Sequence, residues 1–136
     1  MTALLTRWPK NGYNLKAMSP PEPWEITDFQ IAAGSHPLRA FLSRLTEDEK
    51  GTAIALIQLL GERGNTLRRP HSGSLGNALF ELRDVSSGIR VFYTFLGGRQ
   101  AVLLGGLVKK RGDIPVNKLK EARKHCAAAR AGSRRE

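Results

Sequence analysis

Apolar residues recur at helical spacing in three stretches of the chain and at strand spacing in four, and the two periods do not overlap. Trp24, Ile26 and Asp28 alternate with Glu25, Thr27 and Phe29, which predicts a strand over 24–29. Gly34, Ser35 and His36 form a turn. Pro37 then suits a first helical position, because its missing N–H would have no partner there. Leu38, Phe41, Leu42 and Leu45 follow at i, i+3, i+4 and i+7, one stripe of a short helix. Thr46-Glu47-Asp48-Glu49 is a capping-box pattern that opens a second helix with its stripe on Ala53, Leu56, Ile57 and Leu60. Gly61 weakens that helix and Gly64 ends it. The segment 65–77 is polar, carries Arg68, Arg69, Pro70 and His71, and reads as a loop. Strands are predicted over 79–84, 89–96 and 100–108, joined by the short turns Ser86-Ser87-Gly88 and Gly97-Gly98. Such turns give an antiparallel meander. A last amphipathic helix starts at Pro115 and runs to about Arg130. The order strand, two helices, three strands, helix predicts an α+β fold: an antiparallel sheet with a helical hairpin packed on one face, and a C-terminal helix. The other face is expected to stay partly open and to carry the functional site.

Residues 1–23 carry Pro9, Pro20, Pro21 and Pro23 with no apolar period, and read as an unstructured extension. Residues 24–130 form the expected domain, with 131–136 a basic tail. A chain of 136 residues suffices for one such domain. It contains no run approaching the roughly 20 apolar residues of a membrane span, and no continuous apolar segment after Leu4 and Leu5 that would make a secretory signal. Cys126 is the only cysteine, which rules out an internal disulfide and a cysteine-based zinc cluster and suits the cytoplasm. The three histidines show no HxH or HxxxH spacing, so no metal site is expected. A phosphate-cradling P-loop and a GxSxG elbow are both absent, and no cofactor is implied.

Charge changes the picture. The formal net charge is +10, and it is uneven. From Lys109 onward ten lysines and arginines stand against three acidic residues, compared with twelve against nine before it. A basic end of this kind suits a polyanion, through attraction to phosphates and release of their counterions.

Strand alternation puts Glu81 and Arg83 on one face, opposite Phe80 and Leu82. Arg90 opens the next strand across a tight turn, and Lys109 and Lys110 end the third, so cations from three neighbouring strands would converge on one exposed patch with one carboxylate among them. Cleavage of RNA by its own 2′-hydroxyl needs that hydroxyl deprotonated, the phosphorane charge stabilised and the leaving 5′-oxygen protonated. Glu81 is the candidate base or the group that orients one, Arg83 and Arg90 the bidentate phosphate ligands, and Lys110 the donor near the leaving oxygen. Lys109, Arg111, Arg68 and Arg69 are candidate RNA-binding cations, and Tyr93 and His71 candidate proton carriers. Taken alone, Glu81 with Arg83 or Arg90 reads more readily as a cross-strand ion pair on a solvated face than as a catalytic group.

The ordered run Leu75-Gly-Asn-Ala-Leu-Phe-Glu-Leu-Arg83, Ile89-Arg-Val-Phe-Tyr93, Val102-Leu-Leu-Gly-Gly-Leu-Val-Lys-Lys110 and Ile114-Pro, followed by a helix with Glu121-Ala122, resembles the phage-derived, HigB-like branch of the RelE toxin superfamily. The resemblance covers roughly 24–128. It implies a microbial RNase-like fold, metal-independent cleavage of ribosome-bound mRNA, and neutralisation by a cognate antitoxin, commonly a helix-turn-helix protein. By position it implies that Arg83, Arg90 and Lys110 bind phosphate and stabilise charge, and that Glu81 is the motif glutamate. The chain departs from the branch at Gly76, Ala78, Ile89, Gly105 and Leu107, and has Val116 near the place of a late tyrosine in some RelE toxins. Two other functions share this fold and charge: a non-catalytic nucleic-acid- or ribosome-binding module, and a regulatory adaptor acting only through its protein partner.

Overall fold

The computed structural model describes residues 23–135, so all of the expected N-terminal extension but Pro23 lies outside the described residues. The elements are β1 (Glu25–Asp28), α1 (Pro37–Ser43), α2 (Glu47–Arg63), a 3-10 turn (Gly64–Thr66), β2 (Ser72–Gly76), β3 (Leu79–Arg83), β4 (Ile89–Leu96), β5 (Gln100–Val108) and α3 (Val116–Arg135). The capping box at Thr46 forms in both directions, the Glu49 N–H donating to Thr46 Oγ1 at 3.1 Å and the Thr46 N–H to Glu49 Oε1 at 3.0 Å. Gly64 ends α2 at φ +54°, where a Cβ would stand 2.0 Å from the Trp24 indole nitrogen, so both the turn and the tryptophan require glycine there. The last helix runs on through Arg135, taking in residues that the sequence reading left to the tail.

The five strands form one sheet in the order β1-β5-β4-β3-β2. The expected meander is present as β3-β4-β5, antiparallel throughout. Two features differ from the expectation. The segment read as a polar loop contains β2, an edge strand paired antiparallel with β3. Its residues, Ser-Gly-Ser-Leu-Gly, have little strand preference of their own, and pairing with β3 supplies what they lack. The sheet is also mixed and not wholly antiparallel, because β1 lies parallel to β5, from Glu25 beside Gln100 to Asp28 beside Leu103.

The helical hairpin packs on one face as the spacing predicts. Leu38, Phe41, Leu56 and Leu60 are buried against Leu82, Val91, Tyr93 and Leu103, with Leu42, Leu45, Ile57 and Phe95 half-buried around them. The other face is not left open. Ala122 and Cys126 of α3 pack there on Leu79, Phe92, Val102 and Leu104. Arg123 and Arg130 fasten the helix, donating to the carbonyls of Leu75, Gly76 and Phe95.

Candidate active site

The pairing of β3 with β4 sets the site. Arg83 stands directly opposite Arg90, and Glu81 opposite Phe92. Alternate residues of a strand share a face, so Glu81, Arg83 and Arg90 all point to the α3 side. Arg90 Nη1 lies 3.6 Å from Glu81 Oε1, and the two side chains are 8% and 7% exposed. Arginines directly across a ladder repel, and the carboxylate set diagonally between them offsets part of that repulsion. At 3.6 Å the pair is an ion contact without a hydrogen bond. Glu81 Oε1 is buried with no hydrogen-bond partner among the described residues.

Arg90 departs from the exposed cation expected of it. The loop after β5 closes over it, and Arg90 Nη2 donates to the Gly112 carbonyl at 3.4 Å. Arg83, at the end of its strand, stays half-buried. The same loop is pinned at its start, where the Lys109 N–H donates to the Gly88 carbonyl at 2.7 Å. Gly88 sits at φ +80°, and a Cβ there would stand 2.7 Å from the Lys110 backbone nitrogen. Glycine therefore lets the chain carry Lys110 past the β3–β4 turn toward Arg90. Lys109, Lys110 and Arg111 are exposed on this loop.

A fourth cation joins from the edge. Gly73 of β2 lies opposite Glu81. The point that a Gly73 Cβ would occupy is 3.7 Å from an Arg69 guanidinium nitrogen and 4.0 Å from Glu81 Oε2. The missing side chain is what lets Arg69 approach the carboxylate. Arg68 is held elsewhere, its Nη1 donating to the Asn65 and Leu67 carbonyls beside the 3-10 turn. Gly73 and Gly112 are the functional positions that the sequence reading missed; only the strand register and the loop closure reveal them.

The two candidate proton carriers separate. His71 is exposed and precedes β2, its carbonyl accepting from the Arg83 N–H at 2.9 Å. It stands near Asp84, whose carboxyl is held below its ordinary range mainly by hydrogen bonds from Ser87, with a smaller contribution from His71. Tyr93 lies on the opposite face of the sheet, because it is three residues from Arg90 and pairs with Phe80. There it is 1% exposed and its hydroxyl shares a 2.5 Å hydrogen bond with Ser72 Oγ. Burial pushes its phenol above the ordinary value. Tyr93 is therefore not part of the Glu81 cluster.

Among the described residues no group of three or more His, Cys, Asp or Glu side chains could hold a metal ion. His36 precedes α1 with its Nδ1 3.1 Å from Asp28 Oδ2 and no side-chain bond to the helix start, and His125 packs on Phe29 with ring centres 5.2 Å apart. Among the described residues no helix is long and apolar enough to cross a membrane.

Residues 40–127, more than half of the chain, match the family described as Phage derived protein Gp49-like (DUF891). The chain belongs to this phage-derived Gp49-like family. The match spans every residue of the Glu81 cluster and bears out the resemblance to the phage-derived branch of RelE/HigB-type toxins. Among solved structures, the crystal structure of the toxin–antitoxin complex RelBE2 from Mycobacterium tuberculosis is similar, with a TM-score of 0.49 and 13% identity over 65% of this chain and 94% of that one. No curated protein matches the chain.

Proposed function

We propose that this Gp49-like protein is the toxin of a toxin–antitoxin pair and cleaves mRNA on the ribosome, without a metal ion. The observation that carries the reading is one carboxylate, Glu81, set among guanidinium groups that arrive from β3, β4 and the β2 edge. Membership of the family supports it. In this reading Arg83 and Arg69, the more accessible cations, grip the scissile phosphate. Arg90 acts from beneath, lending charge and orienting Glu81. Glu81 accepts the proton of the 2′-hydroxyl, the 2′-oxygen attacks phosphorus, and the 5′-oxygen leaves with a proton given up by the Lys110 ammonium. The product is a 2′,3′-cyclic phosphate and a free 5′-hydroxyl. Lys109 and Arg111 hold flanking phosphates. A protein working on ribosomes acts in the cytoplasm, and its antitoxin, of the helix-turn-helix type in this reading, would cover the cationic end of the sheet.

The test is single-turnover cleavage of mRNA on programmed ribosomes. Arg83→Ala removes a charge that meets the transition state, and the expected loss is about a hundredfold in rate, with the far-ultraviolet circular dichroism unchanged. Wild-type protein that binds ribosomes without cutting mRNA would instead establish the binding module. Undiminished cleavage by Arg83→Ala would remove Arg83 from the site.

A further inference from the structure

On the hairpin face, around the β2 edge from the Glu81 cluster, lies an open cavity of about 480 Å³. Its floor is aromatic. Phe80 and Phe95 are half-buried there with ring centres 5.2 Å apart, and Phe80 lies nearly parallel to Tyr93 at 5.5 Å. Its rim is cationic, formed by Arg68 and Arg69, and none of its lining residues is a carboxylate. Arg68 is braced on two backbone carbonyls through one nitrogen, which leaves its other N–H groups to face outward. An aromatic floor, with Phe80 stacked on Tyr93 and Phe95 tilted against both, beneath arginines and with no carboxylate in the lining, is complementary to a nucleobase that carries its phosphate.

The cavity and the Glu81 cluster are joined by one thin edge. Ser72 and Ser74 of β2 pair with Leu82 and Phe80 and so face the cavity, whereas Gly73 pairs with Glu81 and faces the cluster. The middle of this strand carries no side chain of its own at Gly73, and the Arg69 guanidinium lies beside that position. Arg69 belongs to both sites, since it lines the cavity while its guanidinium lies near Glu81. We propose that this cavity binds a nucleobase of an RNA strand whose backbone passes over the β2 edge from the arginine cluster. The proposal rests on the RNA-cleaving reading for the strand's other contact, but the cavity itself can be probed alone.

The probe is adenosine 5′-monophosphate added to the full chain, followed by backbone amide shifts. The expected result is saturable shifts at Asn65, Ser74, Phe80 and Phe95. Ser74→Trp fills the cavity from an exposed position without removing core atoms, and should weaken binding at least tenfold. Phe95→Leu, which thins the stacking floor, should weaken it about fivefold. Amide spectra of each variant confirm folding. Shifts confined to the Glu81 and Arg83 side would overturn the cavity proposal and support the cluster as the only nucleotide site. No shifts anywhere, or binding untouched by Ser74→Trp, would also overturn it. Ribosomal cleavage decides the RNA-cleaving reading separately, because that assay does not depend on the mononucleotide.

Discussion

Removing the Arg90 guanidinium should destabilise the fold, a consequence of burial that an exposed cation would not have. Arg90 is 7% exposed and Glu81 6%, and they are 3.6 Å apart. Arg90→Met keeps the aliphatic stem against the sheet and deletes the charge. It leaves a buried carboxylate without its ion contact, with Arg69 and Arg83 the nearby cations, and strips the Gly112 carbonyl of its donor. Breaking a buried pair costs about 3–5 kcal/mol when the geometry is good. The long contact and the nearby Arg69 argue for less, so the expected cost is about 2–3 kcal/mol. Glu81→Gln removes the charge and keeps the shape, and should cost about 1 kcal/mol. With both charges gone nothing buried is uncompensated, so the double variant should lie within about 1–2 kcal/mol of wild type. The assay is urea unfolding of the four proteins at neutral pH, read as a double-mutant cycle. A coupling of about 2 kcal/mol is expected. Strictly additive single changes, or an Arg90→Met protein as stable as wild type, would show that Arg90 and Glu81 do not form a buried pair.

Gly88→Ala forces a side chain into the left-handed region and onto the Lys110 backbone, and should cost about 2–3 kcal/mol by urea unfolding while slowing mRNA cleavage. Thr46→Ala deletes half of the capping box at an exposed helix start; a loss of about 1 kcal/mol with unchanged cleavage is expected from the same two assays. Burial holds the Tyr93 phenol above its ordinary value of 10.0. Its phenolate absorbance should therefore emerge at higher pH than that of a free tyrosine in an alkaline titration. Because the folded form holds the proton more tightly than the unfolded chain, the stability tied to Tyr93 is complete below about pH 10 and is lost as pH rises through the raised value.

Much of the fold was legible along the chain, because it rests on local signals. The stripe Leu38, Phe41, Leu42, Leu45 and the capping box at Thr46 each state a helix within one or two turns. The meander follows from alternation interrupted by Ser-Ser-Gly and Gly-Gly. The same alternation placed Glu81 and Arg83 on one face, and the length of the turn set Arg90 across from Arg83 as it stands. Alternation also carried enough information to separate Tyr93 from Arg90, since positions three apart on a strand point to opposite faces.

Other features arise between elements distant in sequence. Ser72–Gly76 has no strand preference of its own and becomes β2 because β3 offers an unpaired edge. Gln100 finds Glu25 in a parallel register that no local turn specifies. Arg90 reads as an exposed cation until the loop with Gly112 closes over it. Burial is set by what packs above a residue, and strand period reports only the face. By itself, the sequence determined which residues share each face of each element and the basic, metal-poor chemistry they carry. Only the tertiary structure decided which face α3 covers, which cations reach Glu81, and that a glycine at 73 leaves Arg69 room, because these depend on contacts between segments whose spacing in the chain carries no period.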